Sequence, residues 1–204
     1  MRAVRADRRS GQALMKTLME NQDIATSVVE RAKQVKVLLM DVDGVMTNGL
    51  LFYIPGPDTS LFETKGFNSQ DGLGLHFCHV VGIKTGVISG RDSAALAERA
   101  RLLKMSYVYQ GLLKKVSAYE EILRDAGASD QEVAFIGDDL TDLPLLSRAG
   151  LAVAVANARP EVKAMAHYTT GVSGGDGAVR ETVELILKAR GLWQQALDWF
   201  EIKV

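Results

Sequence analysis

Val35 to Met40 is a short, nearly continuous apolar run, and Ile83 to Ser89 and Val133 to Ile136 repeat the pattern, each closing at a small or glycine-containing polar turn. A strand with one wet face alternates in polarity, so runs of this kind read as parallel strands covered on both faces. Tyr107 to Tyr109 and Leu151 to Val155 are two shorter candidates. Helical segments fall between them, at about Asp92 to Lys104, Lys115 to Ala126, Thr141 to Arg148, Glu161 to Met165 and Ala178 to Arg190. Strands alternating with helices of this length predict an α/β fold, a Rossmann-like parallel sheet with helices on both faces and right-handed crossovers. A chain of 204 residues, 47% hydrophobic and 24% charged, can bury one such core.

One stretch breaks the alternation. Gly49 to Ile54, then PGPDTS, then Leu61 to Lys65 reads as a β-hairpin around a proline-glycine turn, spanning 49–65. Its strands carry Leu50, Leu51, Phe52, Tyr53, Ile54, Leu61 and Phe62, more apolar surface than an isolated hairpin tolerates in water. Either the parent domain or a second subunit must cover it. Residues 1–34 read as an arginine-bearing tail followed by one or two helices from Gln12 to Gln34, 35–190 as the main domain, and 191–204 as a C-terminal helix and tail.

The first run continues as LLMDVDGVMTN, Leu38 to Asn48. Side chains two apart on an extended segment point the same way, so Asp41 and Asp43 face one site at a strand's C-terminal end. Open α/β sheets place their chemistry there. Two such carboxylates divide the labour, one as nucleophile or metal ligand and the other as proton donor. Three more sites sit at the ends of predicted elements: Ser89-Gly90-Arg91, Lys115 after Gln110-Gly111, and Gly137-Asp138-Asp139-Leu140-Thr141-Asp142. Brought together they supply carboxylates, a hydroxyl, backbone N–H groups at helix starts and one ammonium. The carboxylates repel one another, and a hard cation with oxygen ligands, Mg²⁺ rather than zinc, resolves that repulsion beside a phosphate.

In order and spacing, DVDGVMT, VISGR, a lysine opening a helix and GDDLTD resemble the four signature motifs of haloacid-dehalogenase-like phosphatases, over about Val35 to Arg190. The resemblance implies Asp41 as the nucleophile that becomes an aspartyl phosphate, and Asp43 as acid and then base. It implies Mg²⁺ held by Asp41, the backbone carbonyl of Asp43 and Asp138, with Asp139 or Asp142 orienting the metal's waters. Ser89 and Lys115 would grip the phosphate; the adjacent Lys114 is the alternative to Lys115. Only the hairpin separates Asn48 from Lys65, so the chain is similar to the class without a cap domain.

Within that class the hairpin, the FNSQDG segment at Phe67 to Gly72, Tyr109-Gln110-Gly111 and GGDGAVRE at Gly174 to Glu181 resemble the 3-deoxy-D-manno-octulosonate 8-phosphate phosphatase family. That likeness implies a phosphorylated sugar-acid substrate, a place in lipopolysaccharide precursor synthesis, a homotetramer joined through the hairpins, and a glycine-rich C-terminal segment reaching a neighbouring active site. It implies Arg91, with Lys65 and Arg180, as partners for the substrate's anionic groups, and Gly90 in the substrate-binding set. Asp71 is either a substrate contact or the cap of the helix that follows it. Departures from the family pattern are Ser89 for threonine and Gln70 for arginine.

The same chemistry on another nonulosonate phosphate, a phospho-acceptor signalling module and a silent assembly subunit are the competing readings. A net charge of -1 gives no global attraction to nucleic acid or anionic lipid, and no run reads as a membrane span or secretory signal, so the expectation is a cytoplasmic protein. Cys78, the single cysteine, reads as a small buried apolar residue, and His76 and His79 as helix surface. Trp193 and Trp199 read as packing a C-terminal amphipathic helix on a subunit.

Overall fold

The computed structural model describes residues 24–58 and 60–203. The arginine-bearing tail, and the part of the Gln12 to Gln34 helical expectation that precedes residue 24, lie outside the described residues.

Six strands form one parallel sheet in the order β5-β4-β1-β6-β7-β8. They are β1 (Val37–Met40), β4 (Lys84–Ile88), β5 (Tyr107–Tyr109), β6 (Val133–Gly137), β7 (Leu151–Ala154) and β8 (Tyr168–Thr169). Every residue of β1, β6 and β7 is buried, which is why their sequence runs are continuously apolar. The chain leaves β1 for β4 and β5 on one side and returns to β6 on the other, so the crevice at a reversal of strand order opens beside the C-terminal end of β1. The backbone amide of Asp41 still donates to Ile136 O at 3.0 Å, fixing the first aspartate at the last rung of the ladder.

Helix α1 (Thr26–Gln34) buries Val28, Val29 and Ala32 in the same apolar core as the sheet. Helix α2 (Ser69–Val80) follows the hairpin; it was not among the helices read from apolar periodicity, because Gly72 and Gly74 interrupt its buried face. Asn68 caps it by accepting from the Gln70 amide at 2.7 Å. Helix α3 (Ala94–Leu102) starts at Ser93, whose hydroxyl accepts from Leu96 N, and α4 (Val116–Ala126) ends on the left-handed Gly127. The expected Thr141 to Arg148 helix is a 3₁₀ turn at Leu140–Asp142 followed by the short α5 (Leu143–Leu146), with Pro144 in its first turn. Helices α6 (Pro160–Met165), α7 (Ala178–Ala189) and α8 (Trp193–Trp199) complete the layers. Two-residue β8 carried no readable apolar run.

Cys78 is buried, and burial pushes its thiol up to about 12, in keeping with a structural residue. Trp193 packs within its own chain, its ring meeting Phe77 of α2 edge-on at 5.4 Å, while Trp199 is exposed.

The hairpin is a separate two-stranded antiparallel sheet, β2 (Phe52–Pro55) and β3 (Leu61–Thr64), pairing Phe52 with Thr64 and Ile54 with Phe62. The parent domain leaves its apolar side chains open: Leu61 is 66% exposed and Phe62 58%, and Leu50, Leu51, Phe52, Tyr53 and Ile54 are all exposed.

Candidate active site

Asp41 leaves β1 into a tight loop that Thr47 closes, its hydroxyl accepting from Gly49 N at 3.2 Å and Gly44 N at 3.4 Å. Gly44 adopts φ +96°, and a Cβ there would lie 2.1 Å from Asp138 Oδ2. Glycine is required on both counts: for the left-handed backbone and to let a loop from β1 meet a loop from β6.

The β6 loop contributes two of the remaining acids. Asp142 is fully buried; its Oδ2 accepts from the amides of Asp138 at 3.0 Å and Asp139 at 3.4 Å, and its Oδ1 accepts from Lys115 Nζ at 2.7 Å. Lys115, immediately before α4, also reaches Asp41 Oδ1 at 2.8 Å and is almost wholly enclosed, whereas Lys114 is exposed. Of the two adjacent lysines, Lys115 is the one brought to the aspartates. Burial draws its pKa down, but the carboxylates of Asp41 and Asp142 outweigh that and hold it above its ordinary value.

One oxygen from each of Asp41, Asp138 and Asp142 falls within a common 4.8 Å. Three carboxylates around one ammonium leave the cluster short of positive charge. Burial, with Asp142 adding to it, pushes Asp41 up to about 6; burial, with Asp41, Asp142 and Asp139 adding to it, pushes Asp138 up to about 8. Asp138 Oδ1 is buried with no hydrogen-bond partner among the described residues. An orphaned carboxylate oxygen in a net-negative cluster of oxygen donors fits a hard divalent cation. Both oxygens of Asp142 are already occupied by Lys115 and backbone amides, so its carboxylate orients the cluster. Asp139 is exposed and caps the 3₁₀ turn through Leu140 N at 2.7 Å.

Ser89, at the end of β4, is buried, and its Oγ accepts from Arg91 N at 3.2 Å, which leaves the hydroxyl proton free to be donated. Gly90 lies under Leu113, whose Cδ2 would be 2.9 Å from a Cβ at that position. Arg91 is half-exposed and faces Glu63 at 3.6 Å.

The structure does not bring every expected residue to the cluster. Asp43 is not part of the group formed by Asp41, Asp138 and Asp142, and its carboxylate pairs with Lys65 at 2.5 Å. Asp71 is buried, and its Oδ1 accepts from Arg180 N at 2.7 Å in the first turn of α7, so it caps a distant helix rather than its own. Arg180 lays its guanidinium 4.9 Å over the Phe77 ring and bonds Glu184 at 2.7 Å, away from the aspartates. The glycine-rich segment packs on its own chain's aspartate loop, with Gly175 N donating to Val45 O at 2.9 Å.

Sequence reasoning missed two residues. Asn157 straps the loops together, donating to Gly44 O at 3.1 Å and accepting from Gly174 N at 2.7 Å. Glu63 joins Lys65 at 3.0 Å to Arg91. Nothing in VANA marks Asn157, while the Glu63-Thr64-Lys65 spacing, two charges on one strand face, was a readable signal for the second.

Comparison with known proteins follows from this geometry. The haloacid dehalogenase-like hydrolase family matches residues 104–181. The 3-deoxy-D-manno-octulosonate 8-phosphate phosphatase of Yersinia pestis is 41% identical over 167 residues, 82% of this chain and 87% of that protein. The crystal structure of the Moraxella catarrhalis phosphatase of the same name, in complex with magnesium ion, phosphate ion and a KDO molecule, superposes with a TM-score of 0.79 at 38% identity, covering 85% of this chain and 97% of that one. A cobalt-bound Haemophilus influenzae relative superposes with a TM-score of 0.73 at 35% identity, covering 79% and 92%.

Proposed function

Because this chain belongs to the 3-deoxy-D-manno-octulosonate 8-phosphate phosphatase family of haloacid dehalogenase-like hydrolases and is a phosphatase, we propose that it hydrolyses 3-deoxy-D-manno-octulosonate 8-phosphate to the free sugar acid and phosphate. The observation that carries this reading is the convergence of Asp41, Asp138, Asp142 and Lys115 at the C-terminal end of β1. Asp41, the backbone carbonyl of Asp43 and Asp138 would hold magnesium, which would supply neutralisation of the phosphoryl group's charge.

A carboxylate oxygen of Asp41 forms a bond to phosphorus as the bond from phosphorus to the sugar oxygen breaks, and Asp43 gives its proton to that oxygen. Asp43 then takes a proton from the water that attacks the aspartyl phosphate, which releases phosphate and restores Asp41. Lys115 holds Asp41 in place and offsets the charge that accumulates, and Ser89 donates its hydroxyl proton to a phosphoryl oxygen. Arg91, half-exposed beside Glu63, offers a guanidinium to the sugar's carboxylate.

The exposed hairpin supports assembly as a homotetramer, since a patch of this apolar content is otherwise wet on both strands. No described helix is long and apolar enough to cross a membrane, which accords with the proposed site of action in the cytoplasm on lipopolysaccharide precursors.

Phosphate release from a panel of sugar-acid phosphates, with and without Mg²⁺, tests the reading. The octulosonate 8-phosphate is expected to give the highest kcat/KM and EDTA to abolish it. Faster turnover of a nonulosonate phosphate would reassign the substrate, and an EDTA-resistant rate would remove the metal.

A further inference from the structure

Asp43 stands apart from the other three aspartates, and its carboxylate is held from the hairpin. The Lys65 side chain is 1% exposed and places Nζ 2.5 Å from Asp43 Oδ1 and 3.0 Å from Glu63 Oε1. Glu63 turns its other oxygen toward Arg91 Nη1 at 3.6 Å. The four residues form an alternating line of charge, Asp43, Lys65, Glu63, Arg91, that runs from the aspartate loop across the end of β3 to the turn after β4.

The Lys65 ammonium lies between two carboxylates, and its hydrogen bond to Asp43 Oδ1 places it to hold that side chain. A flexible lysine stem loses rotamer freedom when fixed, and a single carboxylate partner restrains it less than two. The ion pair to Glu63, a contact of charge without a hydrogen bond, restrains that freedom. Nζ engages Asp43 Oδ1, which leaves Oδ2 as the oxygen available to meet the substrate. Positioning to within a fraction of an ångström is what makes a general acid effective.

We propose that Lys65 and Glu63 are a positioning pair for Asp43: Glu63 anchors the Lys65 ammonium, and Lys65 fixes the Asp43 carboxylate so that its free oxygen meets the leaving sugar oxygen. The proposal rests on the reading of Asp43 as the proton donor. Lys65 pairs with the Asp43 carboxylate, a group separate from the backbone carbonyl assigned to the metal, and Glu63 pairs with Lys65 and Arg91. Their loss therefore falls on the step that needs a proton.

Single-turnover rates with two classes of substrate separate this role from a general one. An alkoxide leaving from a sugar phosphate needs the proton, whereas p-nitrophenolate leaves without it. In the full-length Mg²⁺-loaded protein, Lys65→Met is expected to slow sugar release, from whichever sugar phosphate the unmodified protein hydrolyses, by about 10²-fold. That loss is expected to exceed the loss in p-nitrophenolate release at least about tenfold. Glu63→Gln acts in the same direction with a smaller loss, and Lys65→Arg, which keeps a cationic donor, recovers part of the rate. The rise in Tm on adding Mg²⁺ is expected to persist in all three. Equal slowing on both substrates, or sugar release at the unmodified rate in Glu63→Gln, would overturn the proposal. Should Lys65→Met fail to fold, Glu63→Gln carries the comparison alone. A wrong substrate assignment shows itself separately, as a different preference in the unmodified protein with the ratio between substrate classes intact.

Discussion

Asp138 and Asp41 set the chemistry of the metal-free site, because each holds its proton more tightly when folded than a carboxylate does in an unfolded chain. Their folded values, about 8 and about 6, lie above the ordinary 3.8, so the folded state binds more protons between about pH 4 and pH 8 and loses stability as pH rises through that window. A cation that binds the ionised carboxylates reverses this. EDTA-treated protein is therefore expected to show a Tm that falls from pH 6 to pH 8, and Mg²⁺ to restore it most at pH 8; differential scanning fluorimetry reads both. Asp41→Asn is expected to lower kcat by on the order of 10⁴-fold or more, since removing a nucleophile disables the whole pathway, with phosphate release as the measure. Gly44→Ala drives a methyl to 2.1 Å from Asp138 Oδ2, so weaker Mg²⁺ binding in a calorimetric titration is expected before any loss of fold.

At the scale of elements, the catalytic loop after β1 is pinned from both sides. Thr47 closes it internally, and the segment before α7 lies so close that a Cβ at Gly174 would be 1.8 Å from Gly44 O. Gly174→Ala must displace one backbone or the other, and overpacking of this kind costs about 1–3 kcal/mol, to be read from the urea midpoint. The same displacement moves Asp43, so kcat is expected to fall with stability. Asp71 shows a related economy of placement. Its carboxylate, raised in pKa chiefly by burial, serves the amide of Arg180 at the start of α7, which ties α2 to α7 across 109 positions of sequence. The Asp71 reading from sequence expected a local cap because Asx capping is usually local. Here the acceptor comes from another helix altogether.

For the molecule as a whole, the hairpin is the feature the single chain leaves unfinished. Phe62 and Leu61 are exposed on a two-stranded sheet that would be marginal alone in water. Phe62→Asp is expected to shift the protein to a smaller species in light scattering coupled to gel filtration, with the α/β core still folded by circular dichroism. How much of this was legible follows from range. The apolar runs of β1, β4 and β6, the aspartates at the first strand end and the order of the four motifs are local patterns, and a strand buried on both faces can hardly be written any other way. Those patterns determined the α/β fold, the phosphatase chemistry and the candidate residues Asp41, Ser89, Lys115 and Asp138. Only the tertiary structure decided which charges meet: that Lys115 bridges Asp41 and Asp142, that Arg180 stacks on Phe77, that Lys65 goes to Asp43, and that Asn157 reaches a loop 113 positions away. Periodicity encodes the face a residue presents, but the partner on that face comes from a strand or loop distant in sequence, and the free energy of a buried charge depends on that partner.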